Sequence, residues 1–258
     1  ELYNEILKEE IISCIIKNRY KIKINNYVFE FDEYLNLKEK LFTCEIEGEN
    51  ILDHQNEIED ILLNYFNLDF KDKTVLDIGA STGGFTDCLL QQGAKKVFAI
   101  DVGYGQLDWK IRSDPRVVVM ERTNVRYVTP EQLGEPLDLS VVDVSFISLS
   151  IVLPVIKTFL KPGQGQVACL IKPQFEAGKD KVGKKGVVRD PAIHKEVLDS
   201  FVALAHGLDF KILGLTYSPV KGPEGNIEFL AHLTRREADG ILPDTAQIVA
   251  DAHAVLKG

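Results

Sequence analysis

The stretch that decides the fold is Val75-Leu76-Asp77-Ile78-Gly79-Ala80-Ser81-Thr82-Gly83-Gly84-Phe85. Val75–Ile78 is a short apolar run of the kind that forms a strand buried on both faces. Gly79, Gly83 and Gly84 follow at once. Glycines let a backbone turn tightly and approach a ligand closely. Residues 83–92 then read as a helix, closed by Gly93. The spacing is G-x-x-x-G, whereas a dinucleotide pyrophosphate is cradled by G-x-G-x-x-G.

Reading outward, Lys96–Ile100 is a second apolar strand that ends at Asp101, 22 residues after Gly79. In an open α/β sheet, ligands bind beyond the carboxyl ends of the strands, and a carboxylate here can take both hydroxyls of an adenosine ribose. S-adenosylmethionine has no phosphate and presents an ammonium and a carboxylate. Asp77 can meet the ammonium, and loop amides the carboxylate. The expected cofactor set is Asp77, Gly79, Ala80, Ser81, Gly83, Gly84, Phe85 and Asp101, completed by Val102, Gln106, Asn124 and Asp143.

The pattern continues as strands at 117–120, 137–142 and 166–171 and helices at 107–112, 130–133, 149–160 and 192–207. Strands at 210–218 and 226–233 follow, and an apolar-faced helix at 242–257 closes the chain. Strands separated by helices imply βαβ units and a mostly parallel sheet with helices on both faces. The loop at 219–225 holds no helix, so the last two strands are expected as an antiparallel pair at one edge. The fold class is α/β and Rossmann-like, that of an S-adenosylmethionine-dependent methyltransferase.

Composition shifts near residue 70. The first 70 residues carry the whole formal excess of charge, net −9, and the remainder is neutral with 23 basic and 23 acidic groups. Residues 1–17 have helical apolar spacing. Residues 19–31 alternate like a strand or a hairpin, with Asn25-Asn26 as a candidate turn, a short strand at 41–46 and a turn at Gly48 can follow, and 58–66 reads as a helix. The expected division is an acidic α+β appendage over 1–55 and the Rossmann-like domain over 56–258. An acidic leader is poorly suited to gripping a phosphate backbone. The first residues carry acids where a signal peptide carries bases, and no run reaches the roughly 18–20 apolar residues of a membrane span. Cys14, Cys44, Cys88 and Cys169 lack metal-ligand spacing, so no metal is expected. Buried thiols at Cys88 and Cys169 suit a reducing cytoplasm.

Asp143 and Lys172 end neighbouring predicted strands, and Pro173 stops the second strand at once. Both should face the ligand crevice; Glu228 is the third candidate. The chemistry they suggest is methyl transfer to a hydroxyl, in which the enzyme aligns an oxygen with the S–CH3 bond. Lys172 could act as base, but Asp143 and Glu228 stabilise its ammonium, so orientation and electrostatics are favoured. Lys179, Lys181, Lys184, Lys185 and Arg189, interleaved with glycines, form a flexible cationic stretch that could hold RNA phosphates, or could be a solvated loop. Phe175 and Tyr104 could stack on a base or belong to the core. His194 is given no catalytic role.

The segments Gly79–Thr86, Asp101–Leu107, Asp143–Ser148, Lys172–Glu176, Gly186–Asp190 and Gly225–Glu228 together resemble the TlyA family over about residues 60–235. Its members often carry the label hemolysin A and behave as ribosomal RNA 2′-O-methyltransferases related to the FtsJ/RrmJ group. The resemblance implies ribosomal RNA or a ribosomal subunit as partner and a Lys-Asp-Lys-Glu catalytic tetrad. Its Asp, second Lys and Glu fall on Asp143, Lys172 and Glu228. The first lysine has no counterpart, since its region reads His54-Gln55-Asn56-Glu57-Ile58-Glu59, and residues 1–50 do not look like the family's basic S4 module. Two alternatives follow: a cofactor- and RNA-binding protein with impaired catalysis, and a membrane-acting hemolysin, for which no amphipathic basic segment is seen. A nicotinamide dehydrogenase is disfavoured by the absent G-x-G-x-x-G.

Overall fold

A computed structural model describes residues 17–24, 27–34, 41–48, 57–237 and 239–256. The chain divides into two compact units between residues 55 and 56. In the first, β1 (Lys17–Ile24), β2 (Tyr27–Tyr34) and β3 (Leu41–Gly48) form an antiparallel sheet in that order. Ile24 pairs with Tyr27, which leaves the two-residue connection expected of the hairpin. The expected turn at Gly48 is instead the last residue of β3. The helix read over 1–17 lies outside the described residues, save for Lys17 in β1.

The second unit is a seven-stranded sheet in the order β6-β5-β4-β7-β8-β10-β9. Its strands are β4 (Thr74–Ile78), β5 (Lys96–Ile100), β6 (Val117–Met120), β7 (Leu139–Val142), β8 (Gln166–Ile171), β9 (Lys211–Tyr217) and β10 (Phe229–Thr234). Along β4 every residue is buried, but alternate side chains leave by opposite faces. Leu76 and Ile78 join the core formed with α3 (Pro130–Leu133), α4 (Leu149–Phe159), α6 (Pro191–Gly207) and α7 (Thr245–Val255). Val75 joins the other, with the helical stretch 57–65, α1 (Gly84–Gln91) and α2 (Trp109–Arg112). A sheet covered on both faces requires apolar residues at both parities, which is why its strands read as continuous apolar runs. The helix expected over 58–66 has a π-helical turn at Ile61–Tyr65.

The last two strands form the antiparallel pair expected at one edge. β9 and β10 are antiparallel, but β10 also pairs antiparallel with β8, so it is inserted between β8 and β9 as the one reversed strand of this sheet. It begins at Phe229, not Asn226. A short helix, α5 (Pro173–Glu176), follows β8 directly, and the 219–225 loop contains a 3-10 turn at Pro223–Gly225. Cys88 and Cys169 are buried free thiols, as read from their apolar surroundings. Among the described residues no helix is long and apolar enough to cross a membrane.

Candidate active site

Strand order reverses at β4, with β5 and β6 to one side and β7 and β8 to the other. A ligand crevice belongs beyond the carboxyl ends there. Asp143 N–H donates to the Ile78 carbonyl at 2.9 Å, and Gly79 has φ +85°. A Cβ on Gly79 would be driven into the Asp143 carbonyl oxygen, so only glycine lets the ends of β4 and β7 come this close.

Around this point opens a cavity of about 1130 Å³. Of the expected cofactor residues, Gly79, Ser81, Asp101, Val102, Gln106, Asn124 and Asp143 line it, whereas Asp77, Ala80, Gly83, Gly84 and Phe85 do not. Asp101 shapes the rim: its carboxylate accepts from Ser81 N–H at 2.9 Å and Gly103 N–H at 2.6 Å. Each oxygen keeps a lone pair for a ribose hydroxyl. Gly83 carries φ +101° at the start of α1, which has no side-chain cap. Asp77 is fully buried and accepts from Thr86 Oγ1 at 2.6 Å, while its other oxygen is buried without a partner. Burial pushes its carboxyl up to about 7 against the Thr86 bond, which acts the other way. A buried acceptor left unpaired costs about 1–3 kcal/mol, and an ammonium is the kind of donor that removes that cost. The donor set thus fits S-adenosylmethionine: an acceptor for its ammonium, a carboxylate for its ribose, and apolar Val102, Val125 and Ile100 in the wall.

The reactive side lies on β7 and β8. Lys172 Nζ forms an ion pair with Asp143 Oδ1 and lies 3.4 Å from Ser145 Oγ. The Lys172 side chain is 11% exposed. Phe229 pairs with Ile171 at the end of the antiparallel ladder, so Glu228 and Lys172 are the next residues beyond it on the two strands. Glu228 is 4% exposed and does not line the cavity. Burial raises its carboxyl above the usual range, while the Lys172 charge and then a 2.9 Å hydrogen bond from Gln174 Nε2 lower it. Asp143 and Lys172 therefore face the substrate space, with Glu228 sunk beside Lys172.

The expected cationic stretch is less loose than its glycines suggest. Val187 and Val188 are buried, and Asn226 clamps the segment, accepting from Val188 N–H at 3.0 Å and donating to the Gly186 carbonyl at 3.0 Å. Lys179, Lys181, Lys185 and Arg189 are exposed, and Lys184 lies in a 3-10 turn. Lys179 lines the cavity, and Lys181 is paired with Glu196. Phe175 lines the cavity, whereas Tyr104 carries Arg122 over its ring at 4.0 Å. His194 is buried in α6 with Nδ1 2.9 Å from His253 Nε2, outside the cavity lining.

Sequence reasoning missed three residues. Phe146 is 91% exposed at the cavity, has φ +63° and lies 5.0 Å from the Phe175 ring. A left-handed aromatic is uncommon enough to point to function, but no spacing rule announces it. Gln174 and Arg126 also line the cavity. Lys71 and Lys73 lie before β4, at the end of the strand away from Gly79, so neither stands where a further lysine would be sought.

Crevice, donor set and paired Asp143–Lys172 define the class: an S-adenosylmethionine-dependent methyltransferase of Rossmann-like fold. Residues 58–235 match the model of the FtsJ-like methyltransferase family, and the chain belongs to that family. It is 50% identical over 202 residues to "Putative rRNA methyltransferase YqxC" of Bacillus subtilis, covering 76% of this chain and 71% of the relative. It is 46% identical over 180 residues to the 16S/23S rRNA (cytidine-2′-O)-methyltransferase TlyA of Mycobacterium tuberculosis, covering 70% of this chain and 66% of that protein. The chain thus spans about two thirds of the length of these relatives. Among solved structures, "Putative hemolysin from Streptococcus thermophilus" superposes with a TM-score of 0.76 at 43% identity, over 85% of this chain and 82% of that one.

Proposed function

We propose that this chain transfers the methyl group of S-adenosylmethionine to a ribose 2′-hydroxyl of ribosomal RNA. The observation that carries the reading is the Lys172–Asp143 ion pair in the wall of the cavity that Gly79, Ser81 and Asp101 also line. The sulfonium is already electrophilic, so the protein must chiefly place the oxygen in line. Lys172 orients the 2′-oxygen, Asp143 holds Lys172, and Glu228 adds negative charge behind it. The cofactor is assigned to the residues named for it above, with Asp77 and the α1 turn on its amino acid part and Asp101 on its ribose. Lys179, Lys181, Lys184, Lys185 and Arg189 are assigned to phosphates, and the exposed Phe146 with the half-buried Phe175 to stacking of an unpaired base. Residues 56–258 are the methyltransferase domain, 1–55 an acidic segment of separate role, and the working compartment is the cytoplasm, where ribosomes lie. The similarity to TlyA and YqxC supports this choice of acceptor over a membrane target.

The test is tritium transfer from labelled cofactor to purified ribosomal subunits and to deproteinised rRNA. Label in a nuclease-sensitive, alkali-resistant dinucleotide is expected; cofactor binding without transfer to any RNA refutes the reading.

Asp77 supplies a second prediction. Its folded-state pKa of about 7 lies above the ordinary carboxylate value. The protonated form is therefore favoured below about pH 7, and its contribution to stability is lost as pH rises through that value. An ammonium beside the orphan oxygen reverses the preference. Cofactor binding at pH 6.5 is expected to release protons, seen by calorimetry as a binding heat that depends on buffer ionisation enthalpy. Asp77→Asn should remove that dependence and weaken affinity about tenfold. Buffer-independent heat in the unaltered protein counts against the assignment.

A further inference from the structure

We propose that Gln174 is a positioning residue of methyl transfer, whose carboxamide fixes the Glu228 carboxylate beside Lys172. The inference rests on the methyl-transfer reading above. Gln174 is the second residue after Lys172, in the short helix α5 that begins directly at the end of β8. Its Nε2 donates to Glu228 Oε1 at 2.9 Å. On another side the 219–225 loop closes over Glu228, because a Cβ on Gly222 would run into that carboxylate. The glutamate is thus enclosed between a backbone that offers no room and an amide that offers a hydrogen bond.

The other half of the amide argues against a merely structural role. Gln174 Oε1 is buried without a partner. An orphaned acceptor of this kind is destabilising, and a methionine of similar volume would fill the wall without it. Glutamine at this place is explained by what its N–H does for Glu228. A hydrogen bond to the charged form favours that form. Gln174 therefore opposes the effect of burial, favours the charged form of Glu228, and fixes that carboxylate beside Lys172, just beyond the end of the β8–β10 ladder. No proton or bond passes through Gln174; it acts through Glu228 and Lys172.

The decisive variant is Gln174→Met, which keeps the volume and deletes the donor. Carbon-13 labelling of glutamate side chains, with Glu228→Gln to assign the signal, follows the Glu228 titration directly. The variant is expected to raise the Glu228 pKa, because the hydrogen bond that favours the charged form is gone. It should also lower kcat about tenfold at pH 8 and further at pH 6, with KM for the cofactor unchanged. The sign follows from Glu228 acting as the anion: an easier protonation carries the acid limb of the profile to higher pH. Gln174→Glu, which sets a second carboxylate against the first, is expected to move the limb further in the same direction. A Gln174→Met protein with the Glu228 titration and pH profile of the unaltered chain overturns the proposal. If the unaltered chain methylated no RNA, the function would fall, while the Glu228 titration would still decide whether Gln174 controls that carboxylate.

Discussion

Lys172→Ala is expected to lower kcat for RNA methylation about 10³-fold or more, on the order of 4 kcal/mol of transition-state stabilisation, with cofactor affinity unchanged. The size follows from what the chemistry leaves to the protein. A sulfonium methyl is reactive as it stands, so catalysis consists of holding one oxygen in line and stabilising charge as its proton leaves. Lys172 is the cation at the end of β8 that the cavity exposes to that oxygen, and its partner Asp143 ends the neighbouring strand. Lys172→Arg is not expected to restore the rate. The guanidinium is a planar fork that spreads its charge and cannot reproduce one compact ammonium between Asp143 and Ser145. Single-turnover methylation with saturating subunits, alongside calorimetric binding of S-adenosylhomocysteine, separates the two effects. Near-normal transfer by the alanine variant would remove Lys172 from the mechanism. So would a binding defect large enough to explain the loss.

Gly79→Ala is expected to destabilise the fold by about 3 kcal/mol or more, enough to lower the melting temperature by roughly 10 °C in a domain of this size. Two costs combine. The φ of +85° is disfavoured for any residue with a Cβ, by about 1–2 kcal/mol. The added methyl must also displace the Asp143 carbonyl, which parts the ends of β4 and β7 where the site is built. Gly105→Ala is the matched control: it has φ +71° but nothing within 4 Å of the added carbon. About 1 kcal/mol is expected there. Thermal unfolding of both variants isolates the close approach from the dihedral strain. Equal losses at Gly79 and Gly105 would mean that the strand ends do not meet as described.

Much of this architecture was legible before the structure. Apolar runs of four to six residues bounded by glycine and aspartate announce buried strands, because a doubly covered sheet leaves no polar alternation to confuse the pattern. The same logic located Asp101, Asp143 and Lys172, each the first polar residue after an apolar run. Glu228 was different: it was read from the residues as a third candidate, but it lies before its strand and has no apolar run ahead of it. Asp77 was read correctly as a strand-end carboxylate but not as fully buried, since burial depends on Thr86 and the packing of α1. Phe146 and Gln174 escaped because their significance lies in a dihedral angle and in a partner 54 residues away. Neither leaves a periodic trace. The insertion of β10 between β8 and β9 was equally invisible, since hairpin chemistry fixes which strands are adjacent but not which of them joins the existing sheet.

The reversed strand brings the chain to the crevice from the opposite direction. A parallel strand delivers its last residue to the crevice; β10 runs the other way and delivers the residue before its first. Asp143 and Lys172 are brought together by the pairing of β7 with β8, whereas Glu228 is brought to Lys172 by the pairing of β10 with β8. The crevice thus takes charge from both chain directions, Asp143 and Lys172 from strands that end there and Glu228 from a strand that begins there. A change in the pairing of β10 with β8 would therefore move Glu228 relative to Lys172 while leaving the contact between the ends of β4 and β7 in place.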